Sequence, residues 1–252
     1  MNYQIFRKRD QANGSFDGGK IIENKPIGFP HEGGLLKPYS NLFYWAHAWS
    51  DHGGLIDVHP HQGFEIMSFV IKGTIEHYDN KNNHWIQLHE GDAQIIRAGN
   101  GITHAERFLP GSHIFQIWVD PDLAKTLQHP ASYNDYPAKS FPLNKVNGHE
   151  EKLYNGEGAP LKMEAPGLYF KELNLEPGSY NLDVEEGTSH ANYLIEGRLK
   201  LDDEELATDD FFQAIAGSYE FETTEATRIF QVIAPKALSY RTYAQIQGIS
   251  GQ

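Results

Sequence analysis

Two short motifs occur twice in this chain, in the same order. V-I-K-G-T-I at Val70 to Ile75 returns as L-I-E-G-R-L at Leu194 to Leu199, and H-I-F-Q-I-W-V at His113 to Val119 returns as R-I-F-Q-V-I-A at Arg228 to Ala234. A repeat of this kind marks a duplicated structural unit. Each copy is an apolar run, a glycine turn and a second apolar run, too short for helices and bounded by turn residues, so each copy should be built of β-strands. Composition agrees: 24 Gly, 13 Pro and an aromatic content of 12% fit many short strands joined by tight turns. The expected class is all-β. The sharpest hairpin signal is D-N-K-N-N, Asp79 to Asn83. Between about Pro121 and Pro160 the pattern breaks at His129-Pro130, Tyr136-Pro137 and Phe141-Pro142. The expected division is a first domain over 1–130, a linker over 131–160 and a second domain over 161–252.

Chemistry concentrates in the first copy. Val58 to Glu65 reads V-H-P-H-Q-G-F-E, and side chains alternate in a strand, so His59 and His61 share a face, with Glu65 if no bulge intervenes. Gly99 to Glu106 reads G-N-G-I-T-H-A-E and puts His104 and Glu106 on one face of another strand. Gly99 and Gly101 flank a reversal where positive φ or close backbone approach is expected. Three imidazoles and a carboxylate suit a borderline divalent transition ion with positions left open for small ligands. Imidazole binds metal when neutral, so affinity should fall as pH drops through about 6.5. In the second copy, sliding by the first motif sets Asp183 and Glu185 against His59 and His61, with Glu222 near the position of His104; these are expected to be solvated acids and the second domain free of metal. His77, His84, His89 and His113 are expected at the surface or in ordinary hydrogen bonds, and His47, in the aromatic run Asn41 to Trp49, as a hydrogen-bonded core or edge residue.

With H-P-H-Q-G-F-E, V-I-K-G-T-I-E-H-Y-D, G-D-A-Q-I-I-R-A-G-N-G-I-T-H-A-E and the later D-L-A-K and P-A-S-Y in hand, the chain resembles the pirin family of bicupins over most of its length. The resemblance implies two jelly-roll β-barrels packed face to face and one metal in the N-terminal barrel, held by His59, His61, His104 and Glu106. Fe(II) is the ion it favours, with Mn, Co, Ni, Cu or Zn as other occupants. Gln62 departs from the family, where many members have Arg, and so does the stretch from Gly28 to Asp57, which bears on the pocket entrance and substrate preference. Two functions follow from the resemblance. One is a dioxygenase that opens a flavonol such as quercetin with O2, Glu106 taking the proton of the substrate hydroxyl. The other is a non-enzymatic, redox-responsive regulator of the transcriptional co-regulator type.

A net charge of -13 disfavours contact with nucleic acid backbone or anionic membrane, both of which need a basic surface. No cysteine is present, which removes thiolate nucleophiles, disulfides and zinc-thiolate sites. The basic N-terminus is followed by no apolar run of signal-peptide type, and no stretch is apolar enough to span a bilayer as a helix. A cytoplasmic monomer acting on a small aromatic substrate and O2 is the resulting expectation.

Overall fold

A computed structural model of the chain describes residues 2–81 and 83–251; Asn82, in the expected hairpin turn after Asp79, lies outside the described residues. The chain forms two compact units of antiparallel strands. The first unit holds residues 11–140, 162–166 and 239–252, the second 1–10, 141–161 and 167–238.

In the first unit a seven-stranded sheet runs Ser132–Tyr136, Ala93–Arg97, Glu65–Lys72, Ser112–Val119, Leu42–Ser50, Ile21–Ile27, Ala12–Phe16. A four-stranded sheet runs Gly54–His61, Ile102–Phe108, Thr74–Asp79, Trp85–His89. In the second unit the same order recurs. Its large sheet runs Tyr3–Phe6, Phe211–Ala214, Thr188–Glu196, Thr227–Pro235, Tyr169–Leu175, His149–Leu153, Leu143–Val146, and its small one Gly178–Val184, Gly217–Thr223, Arg198–Leu201, Glu204–Ala207. The duplication seen in two motifs is therefore a duplication of the whole strand order, and the architecture is that of a bicupin.

The boundaries differ from the expected ones. The 131–160 stretch is not a linker: Ser132–Tyr136 adds to Ala93–Arg97 in the first unit, while Leu143–Val146 and His149–Leu153 form an edge of the second. Tyr3–Phe6 pairs with Phe211–Ala214 in the second unit, and the helix Tyr243–Gln247 packs Ala244 and Tyr243 against Phe43 and Phe64 in the first. Prolines at 130, 137 and 142 punctuate short strands here without excluding them, because each falls just outside a strand, where its missing N–H costs no ladder bond.

Paired strands stack the interior of the first unit in layers. Val70 and Ile114, with Ile75 and Phe108 from the small sheet, make an apolar floor. One pleat up stand Ser68 and Gln116 on the large sheet and Glu106 and His77 on the small one. A further pleat up stand Ile66 and Trp118, opposite His104 and Asp79. The second unit keeps the floor, with Leu194, Ile229 and Leu199, but its equivalent layers are mostly different. Phe221 pairs with Leu201 where Glu106 pairs with His77, and Tyr219 pairs with Leu182 where His104 pairs with His59. This corrects the alignment made by sliding the sequence: Asp183, Glu185 and Glu222 are exposed and face away from the interior, and Tyr219 holds the place given to Glu222.

Candidate metal centre

His59 and His61 sit at the end of Gly54–His61, and His104 lies directly across from His59 on Ile102–Phe108. Strict alternation does not hold along the first strand. Its register against Ile102–Phe108 slips by one residue between His104 and Glu106, and Asp57 and Val58 are exposed in succession. The extra residue is a β-bulge, which re-aims the side chains that follow it. Asp57, in the bulge, offers its carbonyl oxygen 2.7 Å from His59 Nδ1, so that Nδ1–H donates and Nε2 keeps its lone pair. Gly63 N–H donates to Gly99 O at 2.9 Å, tying the end of the H-P-H stretch to the turn before His104. Gly99 has φ +49, and a Cβ there would meet His129 O at 2.5 Å, so only glycine fits.

The result is three imidazoles around one point. Ring centroids are 4.7 Å apart for His59 and His61, 4.4 Å for His59 and His104, and 4.8 Å for His61 and His104. One donor nitrogen from each lies within 4.8 Å of the others. His61 Nε2 and both nitrogens of His104 are buried with no hydrogen-bond partner. Buried imidazole nitrogens left unpaired are costly unless something else binds them. Burial, with the neighbouring His59, pushes His61 down to about 3, and burial and the adjacent histidines hold His104 well below the ordinary imidazole value. Both rings therefore stay neutral, the state that binds a metal, far below the pH of 6.5 expected from an isolated imidazole. Donor type, convergence and unpaired nitrogens all fit a divalent transition ion.

Glu106 is 1% exposed and lies outside the three-histidine group. Ser68 Oγ donates to its Oε1 at 3.2 Å and Gln116 Nε2 to its Oε2 at 2.7 Å, while Trp118 Nε1 donates to Gln116 Oε1 at 3.1 Å. Glu65 is not part of the site: it opens a strand of the other sheet and accepts from the backbone N–H groups of Glu164 and Ala165. Gln62 is exposed and donates to Asn100 O.

The residues that the sequence did not single out are His77, Asp79 and the aromatic wall. His77 and Asp79 are both fully buried, with His77 Nε2 3.2 Å from Asp79 Oδ2, and the His77 ring is 5.4 Å from that of His104. Their H-x-D spacing on Thr74–Asp79 is the same period-two signal that marked His59 and His61, so it was legible in principle. Trp118 stands edge-on to His61 at 4.7 Å and leads into a cluster of Phe29, Tyr44, Phe43, Phe64 and Tyr243.

A family model described as Pirin matches residues 37–119, the stretch that carries all three histidines, Glu106, Ser68 and Gln116. Over this stretch the chain is similar to the pirin family. A putative quercetin 2,3-dioxygenase of Pasteurella multocida is 49% identical over 74 residues, 28% of this chain and 30% of that one. Pirin-1 of Arabidopsis thaliana is 30% identical over 171 residues, 65% of this chain and 57% of the relative. The chain thus spans from under a third to just over half the length of these two relatives. Among solved structures, the bacterial pirin YhhW of Escherichia coli in complex with nickel(II) superposes with a TM-score of 0.73 at 17% identity, covering 93% of this chain and 100% of that one, a likeness of fold. No helix among the described residues is long and apolar enough to cross a membrane.

Proposed function

We propose that this protein is a metal-dependent dioxygenase acting on a planar, hydroxylated aromatic of the flavonol class. The observation that carries the proposal is the convergence of His59, His61 and His104, with buried unpaired nitrogens, beside the Trp118 wall. The three histidines would hold the ion, with Glu106 completing the set, and iron is the occupant favoured by the family resemblance. When bound, such an ion supplies Lewis acidity and reactivity toward dioxygen that no side chain provides.

The chain's own residues do the rest. Trp118 and the phenylalanines behind it offer faces and edges to an aromatic ring and keep water from it. Glu106 takes the proton of the substrate hydroxyl, its carboxylate oriented by Ser68 and Gln116. Asp79 is a second buried carboxylate in this interior, but it is committed to His77 and to Lys81 N–H.

Glu106→Gln tests the assignment. Loss of a general base is worth about 10² to 10⁴ in rate. Turnover of quercetin should fall by at least about a hundredfold while metal content, measured alongside, falls far less. Wild type loaded in turn with Fe, Mn, Co, Ni and Cu that shows no oxygen-dependent loss of flavonol absorbance would remove the dioxygenase reading.

A further inference from the structure

His59 has a built-in partner for the nitrogen that does not face the centre, the Asp57 carbonyl. His104 has none: both of its ring nitrogens are buried without a hydrogen-bond partner. A histidine that binds metal through one nitrogen carries a proton on the other, and that N–H needs an acceptor to fix the ring and its tautomer. One unpaired acceptor lies beside it. His77 Nδ1 is also buried without a partner, while its Nε2 is turned to Asp79.

The direction of each bond follows from Asp79. Its Oδ1 accepts the Lys81 N–H at 2.7 Å and its Oδ2 faces His77 Nε2, and a carboxylate only accepts. His77 therefore carries its proton on Nε2 and presents a lone pair at Nδ1. The separation is right as well. Elsewhere in this protein His47 and His113 have ring centroids 5.3 Å apart with Nε2 and Nδ1 at 3.2 Å, and the His77 and His104 centroids are 5.4 Å apart. The His77 and His104 rings thus lie at the separation at which this protein already holds one imidazole pair in hydrogen-bond contact.

We propose that His77 is a positioning residue for the metal centre, its Nδ1 accepting the N–H that His104 retains when its other nitrogen binds the ion, with Asp79 fixing the His77 tautomer. This rests on metal binding by His59, His61 and His104. The chain Asp79, His77, His104 does for His104 what the Asp57 carbonyl does for His59, and does it with a carboxylate at its end, which strengthens His104 as a donor to the ion. The interior of the second unit keeps no trace of it, since Leu201 replaces His77 and Tyr219 replaces His104.

Two measurements test it. Long-range proton–nitrogen NMR on chelator-treated protein reads the tautomers without metal or substrate: wild-type His77 should be protonated at Nε2 and bare at Nδ1. In Asp79→Asn the Lys81 N–H keeps the amide oxygen, the amide NH2 faces His77 Nε2, and the proton should move to Nδ1. Nickel(II) affinity, by competition with a chelating indicator, should weaken about 10- to 100-fold in His77→Phe and in Asp79→Asn. His77→Gln, which offers an N–H to Asp79 and a carbonyl to His104, should recover most of the loss. A role in packing alone would move neither the tautomer nor the Gln rescue. Nδ1-protonated His77 in the wild type, or variant affinities within twofold of it, overturns the proposal. Wild type that takes up no nickel overturns metal binding itself and the proposal with it, whereas wild-type uptake with unchanged variants removes the proposal alone.

Discussion

Glu65 is a carboxylate buried to 1% exposure at the start of the central strand Glu65–Lys72, and it clasps the 162–166 segment through the N–H groups of Glu164 and Ala165 at 2.8 and 2.7 Å. Burial raises its pKa from 4.5 to about 7, against the two N–H donors and the Arg97 guanidinium 3.6 Å away, which favour the charged form. Because the folded-state value is raised, the folded protein binds a proton that the unfolded chain has already lost between pH 4.5 and 7. The stability this contributes is complete below about pH 4.5 and is lost as pH rises through about 7. At about 1.4 kcal/mol per tenfold change in the ionisation constant, the difference is about 3 kcal/mol. Glu65→Gln removes the titration at the cost of a constant penalty, because the amide accepts from one N–H and opposes the other. The stability of wild type minus that of Glu65→Gln should therefore fall by about 3 kcal/mol between pH 4.5 and pH 8, other ionisable groups cancelling in the difference. Denaturant unfolding followed by tryptophan fluorescence, in the presence of a chelator, reads this directly, since all four tryptophans, at 45, 49, 85 and 118, lie in the unit that contains Glu65. A difference that stays flat, or that rises with pH, would mean that Arg97 and the two N–H groups outweigh desolvation, and the reasoning would fail.

Two further outcomes follow from the site. His61, pushed down to about 3 by burial and by His59, should show no imidazole titration between pH 7.5 and 4.5 in metal-free protein, and a midpoint near 6.5 in its NMR shifts would refute that. Changing Asp183 and Glu185 to Asn and Gln should leave metal stoichiometry at one, because both face solvent; loss of a second equivalent would place a site in the second unit.

The local repeat of residue types settled a good deal. A period of two in H-P-H and in H-A-E puts pairs of side chains on one face of a strand whatever lies beyond it, and the recurrence of V-I-K-G-T-I and H-I-F-Q-I-W-V reports a repeated strand order. The three histidines, their neutrality as a requirement for metal, and the all-β duplicated fold were all legible from such short-range patterns. The positive φ at Gly99 was too, since the G-N-G turn needs it.

Which strands meet, and in what register, was not legible, because that depends on pairing between residues far apart in sequence. Tertiary structure placed Tyr3–Phe6 in the second unit and Tyr243–Gln247 in the first, against the linear division at 130 and 161. It inserted a bulge at Asp57 and Val58, which turned Asp57 O onto His59, and a break at residues 62–64 that sent Glu65 to the other sheet. It locked Glu106 between Ser68 and Gln116, brought His77 and Asp79 beneath His104, and set Leu182 and Tyr219 where a shift of the sequence had put acids. The types of side chain available were written locally, but what each one faces was decided only when two sheets closed over a common interior and every buried polar atom had to find a partner there.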